Sequence, residues 1–367
     1  MDFKTLTELL DDAPVTLVLG AGASKDYGLP DWNELKTHII DEAREKPLSL
    51  NISDGVFDII IQALEEAGDK TLDNVAGSLG RQLDGFAARC GLQKLIAYCL
   101  IDAEKSCLEK NELGWIELFC SELQKYLRSA SDQTPERKYD KRLQNLKNLN
   151  VVSLNYDRVF LYNFFYAASH TLNNNNQSFR ERITLERSPP YVYFGLCQPH
   201  GVLGTLPKLS TPLAKVTSSN LKFFGGKSSN IGFQWLPYSP LSSRSLAVTA
   251  LPFGETAAFL KLCEANSIDD HIDLNIAAVD DFDDEVDSRN YVHSNQQIKS
   301  SHVVCIGLSD LGFNQSQLNF SAAKSVTLTN TSKELRKFDN NRLPTPNVVY
   351  FDADGIYATP LIKKMAE

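Results

Sequence analysis

Short, almost unbroken apolar runs alternate along this chain with stretches in which apolar residues recur every three or four positions. The runs are Pro14–Leu19, Asn150–Leu154, Tyr191–Leu196, His302–Leu308, Ser325–Thr329 and Val348–Phe351. Their shortness and their valine content predict buried strands. Trp32, Leu35, Ile39 and Ile40 mark one face of a predicted helix over 32–43, and Asp31 with Glu34 forms a capping pair at its start. The predicted opening is therefore strand, glycine turn, then a helix after Asp31. Further helices are predicted at Tyr156–Ser169 and Phe320–Lys324. Short apolar strands interleaved with helices predict an α/β fold, a Rossmann-like doubly wound parallel sheet.

From Phe57 to Leu127 the rhythm is helical throughout. Phe57, Ile61 and Leu64 share one face, and Leu92, Leu95, Ile96 and Leu100 share another. The polar stretch Ser129–Lys141, which contains Pro135, reads as a linker. The expected organisation is a first part of the core at 1–49, a mostly helical insertion at 50–145 and the rest of the core at 146–367. The last part carries a divergent insertion near 204–300, with a Gly/Ser/Pro-rich stretch (222–245) and an acidic patch (280–287). The helical insertion either packs on the core or offers a docking surface, and its pattern suits both.

Composition narrows the classes. The chain has 367 residues, 43% hydrophobic and 23% charged, which suits an ordinary globular protein and excludes wholesale disorder. No apolar run approaches the ~18 residues of a membrane span, and the acidic start has no signal-peptide layout. The expected location is cytoplasmic. With a net charge of −9 and only short, interrupted basic groups, direct nucleic-acid binding is disfavoured. The seven cysteines form no CxxC pair, which argues for reduced thiols and against a structural zinc site; no metal is expected.

Four segments carry candidate chemistry. Gly20-Ala21-Gly22-Ala23-Ser24 directly follows the first strand, where glycines let backbone amides approach a pyrophosphate. It lacks the lysine of a Walker loop and the third glycine and acid-tipped second strand of the usual dinucleotide fingerprint. A tight turn without ligand is the plainer alternative. Ser153-Leu154-Asn155-Tyr156-Asp157 ends the second strand, so Asn155 and Asp157 could face a crevice, or Asn155 could cap the next helix. Pro199-His200-Gly201 follows a third strand and offers a general base, or a histidine that simply packs. Gly307-Leu308-Ser309-Asp310 and Asn330 lie at later strand ends, where phosphate or ribose contacts compete with ordinary turn chemistry.

Taken in order, GAGAS, GLPDW, NYD, HG, a Gly-x-Ser strand end and a late Asn resemble the sirtuin superfamily, in particular its bacterial sirtuin-like branch of NAD-hydrolysing antiphage-defence effectors. The resemblance implies that Gly20, Ala21, Gly22 and Ser24 hold the NAD pyrophosphate. It puts Pro30, Asp31 and Trp32 in a mobile segment over the nicotinamide end. Asn155 then positions the ribose and an attacking water, Asp157 contacts the carboxamide, and His200 acts as base. Gly307, Ser309 and Asn330 bind the adenosine half.

Two departures qualify it. Sirtuin deacylases carry a four-cysteine zinc module as close pairs, and this chain has none, which favours hydrolysis of NAD to ADP-ribose and nicotinamide over deacylation. Asp310 follows Ser309 immediately, unlike the family spacing, and takes no role. The expectation is an NAD glycohydrolase that needs no metal, with an NAD-dependent protein deacylase or a non-catalytic NAD/ADP-ribose sensor as alternatives. An NAD-depleting enzyme needs a switch. With the last strand so near Glu367, control is expected from a homo-oligomer or a regulatory protein, such as the HerA-type ATPase the resemblance suggests.

Overall fold

The computed structural model describes residues 4–68, 70, 72–80, 85–109, 114–128, 141–142, 145–146, 148–167, 192–203, 220–222, 231–235, 254, 256–264, 275–276, 288–308, 317–330, 347–352 and 358–367. The predicted runs are strands: β1 (Val15–Leu19), β2 (Leu149–Ser153), β3 (Val192–Cys197), β8 (His302–Ile306), β9 (Ser325–Asn330) and β10 (Val348–Asp352). Also described are β4 (Gly201–Val202), just before the divergent stretch, and within it β5 (Asn220–Lys222), β6 (Ile231–Trp235) and β7 (Asn275–Ile276).

One sheet has the order β10-β9-β8-β1-β2-β3-β6-β5, parallel throughout except for β5, which pairs antiparallel with β6. Its six predicted strands follow the 3-2-1-4-5-6 order of a doubly wound nucleotide-binding sheet, so the fold is Rossmann-like. A second, two-stranded sheet joins β4 to β7.

Helices cover both faces. The first group is α1 (Leu6–Asp12), α3 (Trp32–Glu45), α4 (Asp54–Glu66), α5 (Leu72–Gly80), α6 (Gly85–Glu109), α7 (Trp115–Arg128) and α8 (Val159–Ala167). It shares one apolar cluster with Val15, Leu17 and Leu19 of β1. α6 is apolar on several sides, with Leu92, Leu95, Ile96, Ala97, Leu100 and Ile101 all buried, as a central helix must be. The helical insertion therefore shares its core with the sheet. On the other face Val18, Val152 and Cys305 meet Tyr291 and Ile298 of α10 (Ser288–Ile298) and Phe320. Also described are α9 (Thr256–Glu264) and α11 (Thr359–Ala366), whose first turn is capped by Asp26, which accepts from the Thr359 amide and hydroxyl.

The register aligns the carboxyl ends. Leu19 sits opposite Ser153 on one side and Ile306 on the other, and Ile306 faces Thr329. Gly20, Leu154, Gly307 and Asn330 consequently emerge at one level, and the order reverses between β1 and β8. There the backbones touch. The amide of Gly20 donates to Ile306 O (2.9 Å) and that of Gly22 to Gly307 O (3.1 Å). A Cβ on Gly20 would lie 2.5 Å from Gly307 O, and one on Gly307 would collide with the Gly22 backbone. Gly307 also has a φ of +63°, in the left-handed region.

Gly307→Ala is expected to cost about 3 kcal/mol, the sum of left-handed backbone strain and overpacking. Gly68→Ala, also at positive φ but with open space around it, should cost only about 1 kcal/mol. Urea denaturation of both variants checks this, and equal losses would show that the contact with Gly22 carries no energy.

Candidate active site

The first turn departs from its predicted form. Between β1 and α3 lies a one-turn helix, α2 (Ala21–Lys25), with Gly20 as its extended N-cap residue. Alanines flank Gly22 and favour the helical turn, so the chain turns at once instead of looping to Asp31. The amide of Ala23 donates back to Gly20 O at 2.9 Å. The amides of Gly20, Gly22 and Ala23 are thus engaged inside the protein, and the glycines serve the close approach to Gly307.

Ser24 and the second segment form one network. Asn155 Nδ2 donates to Gly20 O (2.9 Å) and to Ser24 Oγ (3.2 Å), while Ser24 Oγ donates to the Asp157 carboxylate at 2.9 Å. The carbonyl of Gly20 can only accept, which fixes the amide orientation of Asn155. Ser24 and Asp157 are buried, Asn155 partly so. Asn155 is not the cap of α8; Asp157 takes that role by accepting from the Val159 amide at 3.0 Å. Burial, with the nearby Glu104 charge adding to it, pushes the Asp157 carboxyl up to about 6, against the hydrogen bonds from Ser24 and Val159.

His200 joins this network through rings. The amide of Leu203 donates to Tyr156 O, tying the HG turn to the NYD turn. The Tyr156 ring stands edge-on to Trp32 at 6.2 Å and 6.3 Å from the His200 ring. His200 is 4% exposed, and its Nε2 shares a 2.6 Å hydrogen bond with the Tyr291 hydroxyl. Burial pushes the imidazole down to about 4, so it is neutral at pH 7.

The remaining expected residues divide. Asp31 accepts from the amides of Asn33 and Glu34 and pairs with Lys25 at 2.7 Å, so its side chain is engaged in capping α3 and holding the turn. Pro30, like Trp32, is half-buried beside it. Asn330 is buried and donates to Leu308 O at 2.6 Å, steadying the end of β8. Ser309 and Asp310 lie outside the described residues, as do the acidic patch at 280–287 and residues 129–140 of the Ser129–Lys141 linker, whose last residue, Lys141, is helical.

Tyr291 and Glu104 were not anticipated. Tyr291 sits in the divergent stretch, where periodicity is weak. Glu104 stands between Asp102 and Lys105, yet at helical spacing it shares a face with Ala97, Leu100, Ile101 and Cys107, all buried, and an acid on that apolar face was its signal. Among the described residues no His, Cys, Asp and Glu side chains cluster closely enough to hold a metal ion, and no helix is long and apolar enough to cross a membrane. No protein-family model matches the chain, and no curated protein matches it.

Asp157 and His200 titrate in one window with opposite signs. The folded carboxyl holds its proton more tightly than the unfolded one, so its contribution to stability falls as pH rises from about 4 to about 6. The folded imidazole holds its proton less tightly, so its contribution rises from about 4 to about 6.5. Each effect is on the order of 1–3 kcal/mol. Asp157→Asn should therefore gain stability relative to wild type by that amount between pH 4 and pH 7, read by thermal melts across the range. A stability difference independent of pH would mean Asp157 keeps an ordinary carboxyl.

Proposed function

We propose that this protein is an NAD glycohydrolase that releases nicotinamide and ADP-ribose, acting as an NAD-depleting effector of bacterial antiphage defence. The observation that carries the reading is the hydrogen-bonded union of the GAGAS turn and the NYD turn at the carboxyl ends of β1 and β2, beside the switch point of the sheet, where doubly wound folds bind nucleotides.

The chemistry follows from those groups. The bond between ribose C1′ and the nicotinamide nitrogen breaks, and nicotinamide leaves neutral with the bonding pair. Water adds to C1′ and gives up a proton. With Nδ2 of Asn155 held by Gly20 and Ser24, its Oδ1 becomes the acceptor that orients a ribose hydroxyl or the water. Asp157 supplies an acceptor for the carboxamide and negative charge near the forming oxocarbenium. His200, neutral at pH 7, is in the protonation state a base requires.

The same imidazole favours a second reading. A group whose protonation is so disfavoured, and whose Nε2 meets Tyr291, suits a non-catalytic NAD or ADP-ribose sensor as well as an enzyme at rest. Assembly into a homo-oligomer, or a regulatory protein such as a HerA-type ATPase, would supply the trigger.

Nicotinamide release by the purified chain decides between them. Asn155→Ala and His200→Ala should each lower it by at least about 100-fold while circular dichroism stays native. Turnover retained in both variants would sink the hydrolase, and NAD bound tightly by wild type without turnover would favour the sensor.

A further inference from the structure

The loop that carries Asn155 and Asp157 is held from the helical insertion by the carboxylate of Glu104. Arg158 follows Asp157 directly, and its side chain is fully buried together with that of Glu104 on α6. Its Nη2 donates to Glu104 Oε2 at 2.6 Å and its Nε to Oε1 at 3.2 Å, a two-pronged fork. The backbone amide of Arg158 donates to the same Oε1 at 3.2 Å. Three bonds thus converge from one loop residue on one acid.

Such a fork fixes orientation as well as contact. A buried pair of this kind is weak evidence for stability, because well-packed apolar residues often do as well or better. What it does supply is a defined position for the main chain at residue 158, next to Asp157. The neighbouring turn is held from the same segment. Trp115 Nε1 on α7 donates to Ala23 O at 2.8 Å, Tyr27 donates to Glu117 at 2.7 Å, and the Ile116 amide donates to the Tyr27 hydroxyl at 3.0 Å.

We propose that Glu104 is a positioning residue of the site: through Arg158 it sets the loop bearing Asn155 and Asp157, which makes the helical insertion a working part of the site. The catalytic side of this inference rests on the reading of these loops as the NAD site. Its geometric side does not.

The test is the double variant Glu104→Met/Arg158→Met in the full chain, compared with wild type by thermal melting, amide hydrogen exchange and nicotinamide release. Native-like melting is expected, because the apolar pair fills the same volume. Amides 155, 158 and 159 should exchange at least about tenfold faster, with those of 35–43 in α3 unchanged, and any turnover should fall at least about tenfold. Should the double variant fail to fold, Glu104→Gln, which keeps the size of the side chain, is read in the same way. Exchange at 155–159 as slow as in wild type, or a rise spread evenly over the chain, would overturn the proposal. A wild-type protein without turnover would remove the hydrolase reading alone, since exchange still decides the role of Glu104.

Discussion

The turns after β1 and β8 approach so closely that backbone meets backbone, with Gly20 against Gly307 and Gly307 against Gly22. No side chain can stand between them. This contact brings α2 down onto the end of β8 and lifts the Gly20 carbonyl to where Asn155 can reach it. It also explains the glycines more directly than a phosphate does. Three of the amides that could have faced a ligand bond within the protein, so any nucleotide at this edge must rely on side chains and on the remaining backbone.

Around that contact the protein buries polar and ionisable groups away from water. Asp157 is raised and His200 lowered by the same cause, loss of water, and the Arg158–Glu104 pair lies next to Asp157 without solvent. Desolvated groups of this kind cost stability unless fully bonded, and they cluster where chemistry or binding needs them. The compensation is visible nearby in apolar mass: Trp115 stacks on Phe160, which meets Phe164 at a tilt, and all three are buried.

The sheet was legible because its central strands are buried on both faces and so read as continuous apolar runs; the residues of β1 and β8 are buried without exception. The cap at Asp31 was equally plain, since a box of Asp and Glu three apart has a local cause. What stayed hidden depends on contacts distant in sequence. Asn155 looked like a cap, yet whether Asn155 or Asp157 caps α8 is decided by Gly20, 135 positions away. α2 was masked by Gly20 and Gly22, which signal a turn in isolation, whereas here Gly20 is the extended N-cap residue and Gly22 is helical. Tyr291 was invisible because its helix lies in a stretch of weak periodicity, and only the fold brings it against His200.

The candidate site is thereby supported from both layers. Glu104 and Trp115 belong to the helices that pack on one face of the sheet, whereas Tyr291 belongs to the apolar cluster on the other. Asn155 and Asp157 answer to the first layer and His200 to the second, and Tyr156 joins them at the strand ends. The spacing between the acid and the imidazole is therefore set jointly by the two layers of helices, through the register of the strand ends between them.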